Sequence, residues 1–193
     1  MVTLARDPWH VPLDRAALRP ADVLLARGRG LVSWRIALRG RGPWSHAALV
    51  ARCAEQWLIN EVREWYGGRL VTLDSQVREQ PGRIDVYRYR FGLTEEQTRR
   101  ITATMAGFAG RRYGYWRVLQ AGLTHTWLLS ALRPPTLAEA QNGLGGPLFC
   151  SQAVSLAYVA AGIDLVPNLA SQYTEPADLA RSGLLRYVCT LDP

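Results

Sequence analysis

Cys150 stands in the stretch GPLFCSQAV, Gly146 to Val154, at the head of an apolar run that reads as a helix. A cysteine in the first turn of a helix meets unpaired backbone N–H groups and the positive end of the helix dipole, which favour a thiolate. The same N–H groups can hold an oxyanion. A nearby imidazole would complete an ion pair with the thiolate and later protonate the leaving group, the division of labour in Cys/His hydrolases. His46, which opens the apolar run of WSHAALV, Trp44 to Val50, is the candidate. Free cysteine is also among the most buried residue types, so Cys150 alone does not separate a nucleophile from a small core residue.

A third member is sought where a return strand would pass His46. SHAALVAR and QWLINEV read as two strands of a hairpin. Side chains on one face alternate with period two, so the return strand offers His46 either Glu61 or Asn60. A turn of two or four residues, Cys53-Ala54 or Cys53 to Gln56, pairs residues whose numbers sum to 107 or 109 and puts Glu61 on the His46 face, across from it or diagonal to it. A three-residue turn selects Asn60 instead. The plain alternative is that Glu61 pairs with a surface arginine such as Arg63.

Other elements must bring these residues together. ADVLLARG, from Ala21, reads as a strand, and LVSWRIALRG as a helix ended by Gly40. RLVTLDSQV and RIDVYRYR read as further strands. Thr94 and Gln97 form a capping-box signature ahead of Ile101, Met105 and Phe108 on one helical face, in a helix expected to run to about Gly110. Tyr113 to Leu132 reads as a second helix and Arg133 to Pro147 as a long loop. Cys150 to Ala161 places Val154, Ala157, Tyr158 and Ala161 on one face, with Gly162 as its stop. Pro176 opens a short helix to Arg181, and a last strand covers Leu184 to Cys189. Residues 1–19, with Pro8 and Pro12 inside and Pro20 just after, read as an arm, and 20–193 as one domain.

Composition limits the function classes. The 193 residues are 48% hydrophobic, enough for one well-buried core. The net charge of +7 comes entirely from arginine, since the chain has no lysine. The arginines are scattered singly or in pairs, which argues against nucleic-acid binding. Cys53, Cys150 and Cys189 are odd in number and widely spaced, so neither a disulfide framework nor a short-spaced zinc site is expected, and no cofactor is called for. The N-terminus lacks a signal-peptide apolar region and no run reaches the length of a membrane span, so a cytoplasmic location is expected, with non-standard export left open. His10 and His125 lack a partner pattern and read as structural or exposed, with a groove contact as the alternative for His125, and Cys53 and Cys189 read as packing residues. Trp44 and Tyr115 either line a cleft or pack, and Asp22 reads as a turn residue.

The phrases RPADVLLARG, WSHAALV, WLINEV, YGYW, LFCSQAVSLAYVAAGI and TEPADLARSGLL, in that order, resemble the permuted papain-fold hydrolases of the NlpC type, the YaeF/YiiX-like permuted amidases. The likeness spans Arg19 to Val188. It implies an α+β, papain-like fold, with a small antiparallel sheet or half-barrel bearing His46 and Glu61 packed against the Cys150 helix. It also implies Cys150 as nucleophile, His46 as base and then acid, Glu61 as the orienting carboxylate and Tyr113 as a pocket tyrosine. Gln152 departs from the glutamate frequent in the family, and the Arg133 to Pro147 loop is unusually long. The implied substrates are amides such as cell-wall peptides. An acyltransferase or lipid thioesterase would use the same machinery, and a catalytically idle binding or phage-type module is the reading from another class.

Overall fold

The computed structural model describes residues 17–28, 37–38, 40–53, 56–79, 83–114, 148–167 and 169–191. In chain order the strands are β1 (Val23–Ala26), β2 (His46–Cys53), β3 (Gln56–Arg63), β4 (Gly67–Thr72), β5 (Ile84–Tyr89) and β6 (Leu185–Leu191). The helices are α1 (Leu73–Glu79), α2 (Glu95–Ala106), α3 (Cys150–Val159) and α4 (Pro176–Arg181), with a 3-10 turn at Ser171–Tyr173. The strands form one antiparallel sheet in the order β4-β3-β2-β1-β5-β6, which does not close into a barrel. Of the two shapes expected, the open sheet is the one found.

Both faces of the sheet's centre are buried, and this is why β1 and β2 are apolar without alternation. Val23, Leu25, Ala47 and Leu49 pack in one cluster with Ile101 and Met105 of α2 and with α3. Leu24, Ala48, Val50 and Ile59 pack on the other face with Leu73 and Val77 of α1.

Three boundaries differ from expectation, each for a local reason. RLVTLDSQV is a strand only as far as Thr72. There Ser75 Oγ donates to the Thr72 carbonyl at 2.8 Å, the Thr72 hydroxyl accepts from the Ser75 N–H at 3.3 Å, and the chain turns into α1. Helix α2 has the expected capping box, Thr94 and Gln97 exchanging bonds of 2.9 and 3.1 Å, but ends at Ala106. Phe108 is nevertheless buried, in the turns that follow. Strand β6 runs on to Leu191, which pairs with Ile84. Of the expected helix around residue 37, only 37–38 and the turn from 40 are described; the arm before 17, the helix beyond 114 and the 133–147 loop lie outside the described residues.

Helix α3 is buried from Cys150 to Tyr158 on every side, where one buried face was expected. Three of its polar side chains find internal partners, which helps to permit this, while Gln152 Oε1 is buried with no hydrogen-bond partner among the described residues. Ser151 Oγ donates to the Thr174 carbonyl at 2.7 Å, Ser155 and Ser171 share a bond of 2.8 Å, and the Tyr158 hydroxyl donates to the Ala21 carbonyl at 2.7 Å. Gly162, at φ +77°, ends the helix as expected.

The chain beyond α2 returns along β4, where the Gly68 N–H donates to the Arg111 carbonyl and the Gly110 N–H to the Gly68 carbonyl, both at 2.8 Å. Tyr113 then bridges to Leu148, just before Cys150. So close an approach needs glycine, because a Cβ at Gly68 would lie 1.8 Å from the Phe108 carbonyl oxygen. Gly68→Ala is therefore expected to cost about 2–3 kcal/mol, a fall of roughly 5–10 °C in Tm by circular dichroism. Gly183→Ala, which meets nothing within 4 Å, is the control expected to stay within about 0.5 kcal/mol.

Candidate active site

His46 is the first residue of β2, opposite Ala26 of β1. Strands β2 and β3 pair with residue numbers summing to 109, Cys53 facing Gln56 and Ala48 facing Glu61. Glu61 is thus diagonal to His46 on one face, while Asn60 faces Leu49 on the other. The result is a bond of 2.6 Å between His46 Nε2 and Glu61 Oε2.

The second oxygen of Glu61 is equally engaged. Arg69, directly across in β4, reaches Oε1 with Nε at 2.7 Å and Nη2 at 2.6 Å. Gln76 of α1 donates to the same atom at 3.2 Å. Arg63, the alternative surface partner, lies 4.0 Å away and bonds Glu79 at 3.1 Å. The Glu61 side chain is fully buried, and a buried carboxylate with this many donors remains ionised. Burial alone would raise its pKa, but the His46 and Arg69 bonds and charges lower it to about 2.

The Cys150 side chain is a second hydrogen-bond partner of the same imidazole. Burial works to lower the His46 pKa. The bonds to Cys150 and Glu61 and their charges outweigh it and raise the value from 6.5 to about 10. Cys150 itself is 2% exposed and is the first residue of α3, whose N-cap, Phe149, makes no side-chain bond to the helix. The first-turn N–H groups beside the thiol are therefore not consumed by a cap. By contrast the Cys189 thiol, in β6, is pushed up by burial and has no imidazole among the causes of its shift. The Cys53 side chain lies outside the described residues.

The other two expected residues pack in or against the core cluster that holds Cys150. Trp44 packs against the core cluster that contains Cys150 and Tyr113. Its indole N–H donates to Asp85 Oδ2 at 2.6 Å, and its ring stands edge-on to Tyr87 with centroids 6.1 Å apart. Tyr113 is 9% exposed, beside the Leu148 segment that leads into Cys150. Asp22, expected to fix a turn, does accept the Arg19 N–H at 2.8 Å and also holds Arg88 at 2.7 Å. His10, His125 and Tyr115 lie outside the described residues.

Arg69, Gln76, Asp85 and Arg27 were not singled out by sequence. Only Arg69 had a usable signal, since continuing the meander through EWYGG sets it opposite Glu61. Among the described residues no three His, Cys, Asp or Glu side chains are grouped to hold a metal. No helix among the described residues is long and apolar enough to cross a membrane.

No family model matches the chain. No curated protein matches it in sequence. Its fold is similar to the crystal structure of the metalloprotein YiiX from Escherichia coli O157:H7, with a TM-score of 0.65 at 15% identity over 91% of this chain and 98% of that one. At this identity the likeness is one of fold: an α+β architecture around a six-stranded antiparallel sheet.

The two shifted groups bracket a pH window. The raised His46 stabilises the fold fully below 6.5 and loses that contribution as pH rises through about 10. The depressed Glu61 contributes fully above 4.5 and loses it as pH falls through about 2. NMR titration of the His46 ring is expected to show an imidazolium persisting well above neutral pH. In Glu61→Gln, and separately in Cys150→Ser, the midpoint should move down toward the ordinary histidine value.

Proposed function

We propose that this protein is a cysteine hydrolase that cleaves an amide, a peptide or isopeptide bond, through Cys150, His46 and Glu61. The observation that supports this reading is the buried His46 imidazole, bonded through Nε2 to a Glu61 carboxylate that stays charged and paired also with the Cys150 side chain. The fold likeness is compatible with it and does not specify an activity. YiiX is described as a metalloprotein. The residues at this site do not fit a metal, because no three His, Cys, Asp or Glu side chains are grouped to hold one among the described residues and Glu61 is already bonded by His46, Arg69 and Gln76, and no step here is routed through one.

In the proposed reaction the Cys150 thiolate attacks the carbonyl carbon, and the backbone N–H of Cys150 faces the developing oxyanion. The His46 imidazolium gives its Nδ1 proton to the departing amine nitrogen, the C–N bond breaks and a thioester remains. Water then attacks the thioester while His46 takes its proton. The acid product leaves and the thiolate–imidazolium pair is restored. Glu61 holds the tautomer and orientation of the ring throughout and stabilises its positive form.

Iodoacetamide at about pH 6.5 should alkylate Cys150 well ahead of Cys53 and Cys189, because Cys150 alone would stand at a helix N-terminus beside an imidazole, the setting of reactive cysteines. Preferential labelling of another cysteine by peptide mapping would falsify the nucleophile assignment. Cys150→Ser should fold and lose all turnover, while Glu61→Gln should fold and lose on the order of tenfold or more. A panel pairing cell-wall-type peptides with medium-chain acyl esters decides the bond type. Ester or acyl-transfer turnover without amide cleavage would replace the amidase reading by an acyltransferase or thioesterase.

A further inference from the structure

Asp85 lies on β5 opposite Leu25 and is 1% exposed. Its Oδ2 accepts from the Trp44 indole at 2.6 Å and from Arg27 Nη2 and Nε at 2.7 and 3.3 Å; its Oδ1 accepts from Thr190 at 2.6 Å. A carboxylate taken this far out of water is costly unless its lone pairs are satisfied, and here three side chains satisfy them. The arginine is not consumed in return. A guanidinium carries five N–H donors, only two groups of this one face Asp85, and the Arg27 side chain remains 44% exposed.

The position of this arginine sets its neighbours. Arg27 follows Ala26, the residue opposite His46, so it leaves the sheet at the end where the thiol and imidazole meet. Asp85 shares its face of the sheet with Leu25 and Tyr87, members of the cluster that contains Cys150. Trp44, on the same carboxylate, packs against that cluster. The Gly28 N–H donates to Ser45 Oγ at 2.8 Å and the Ser45 N–H to the Ala26 carbonyl at 2.9 Å, which ties the Arg27 backbone to the residue before His46. A fixed cation and an indole therefore stand together at the catalytic end, on the face that carries the nucleophile.

We propose that Arg27 is a substrate-recognition residue, its guanidinium held by Asp85 beside Trp44 so as to bind a carboxylate on the substrate close to the carbonyl that Cys150 attacks. This rests on the cysteine-hydrolase reading and narrows its substrates to acidic ones, such as a peptide with a free C-terminus or an acidic side chain next to the cleaved bond. A planar guanidinium with an edge free matches a carboxylate better than an ammonium would. Asp85 is a positioning residue, acting through Arg27 and Trp44.

Iodoacetate and iodoacetamide alkylate a thiol by the same displacement of iodide and differ in bearing a carboxylate or a neutral amide. The ratio of their rates at Cys150 therefore reads attraction to a carboxylate. Arg27→Gln is expected to lower the iodoacetate-to-iodoacetamide ratio by about fivefold, the effect of one fixed charge at close range. Arg100→Gln, an exposed pair-forming arginine on α2, should leave the ratio as it is. A ratio within about twofold of the unsubstituted protein in Arg27→Gln, or an equal fall in Arg100→Gln, would overturn the proposal.

Should Cys150 prove unreactive to both reagents, the hydrolase reading fails, and a second measurement still decides the subsite. N-acetylglycine, titrated against N-acetylglycinamide, is expected to shift the Trp44 indole N–H resonance in the intact protein and not in Arg27→Gln. Equal responses to the acid and the amide would reject a carboxylate site at Arg27.

Discussion

The buried carboxylate of Glu61 is the constraint around which this end of the molecule is organised. An ionised carboxyl group withdrawn from water costs several kcal/mol unless opposite charge and hydrogen bonds replace the solvent. Here the replacement comes from three separate elements: His46 on β2, Arg69 on β4 and Gln76 on α1. Each donor is placed by a different piece of secondary structure, so the strand register, the β3–β4 hairpin and the first turns of α1 must all be correct for the charge to be tolerated. The imidazolium is a consequence of that arrangement as much as of the thiol.

The sheet explains how two faces that pack independently contribute to one site. His46 and Glu61 have the parity of Ala48 and Ile59, which face α1, whereas Cys150 belongs to the cluster on the opposite side. Contact between them is made where β2 begins, at the end of the sheet, and not through its middle. Arg27, Asp85 and Trp44 lie at this same end.

Much of this was legible in the residues. His46 at the head of an apolar run and Cys150 after a turn-forming stretch are local signals, and both residues head their elements. The choice of Glu61 over Asn60 depended on one parity, fixed by how many residues connect β2 to β3, and the register with Cys53 facing Gln56 settles it. The division of RLVTLDSQV at Thr72 was missed because the run has a strand's composition and breaks only through bonds made by Thr72 and Ser75. Full burial of α3 was hidden for a related reason: Ser151 and Ser155 look like a polar face until their partners at Thr174 and Ser171 are known. Gln76 and Asp85 gave no signal, since their roles arise from contacts between elements remote in sequence.

Helix α3 is anchored at both ends by chain laid down long before it, His46 meeting its first residue and the Ala21 carbonyl its Tyr158 hydroxyl. Contacts of such long sequence separation form late in folding, because each must first meet the entropy of closing a large loop. A newly made or partly folded chain thus carries Cys150 without the imidazole, the helix N-terminus or the buried carboxylate that surround it in the folded protein. The surroundings of this cysteine are a property of the docked native state, assembled only once chain segments more than a hundred residues apart have met.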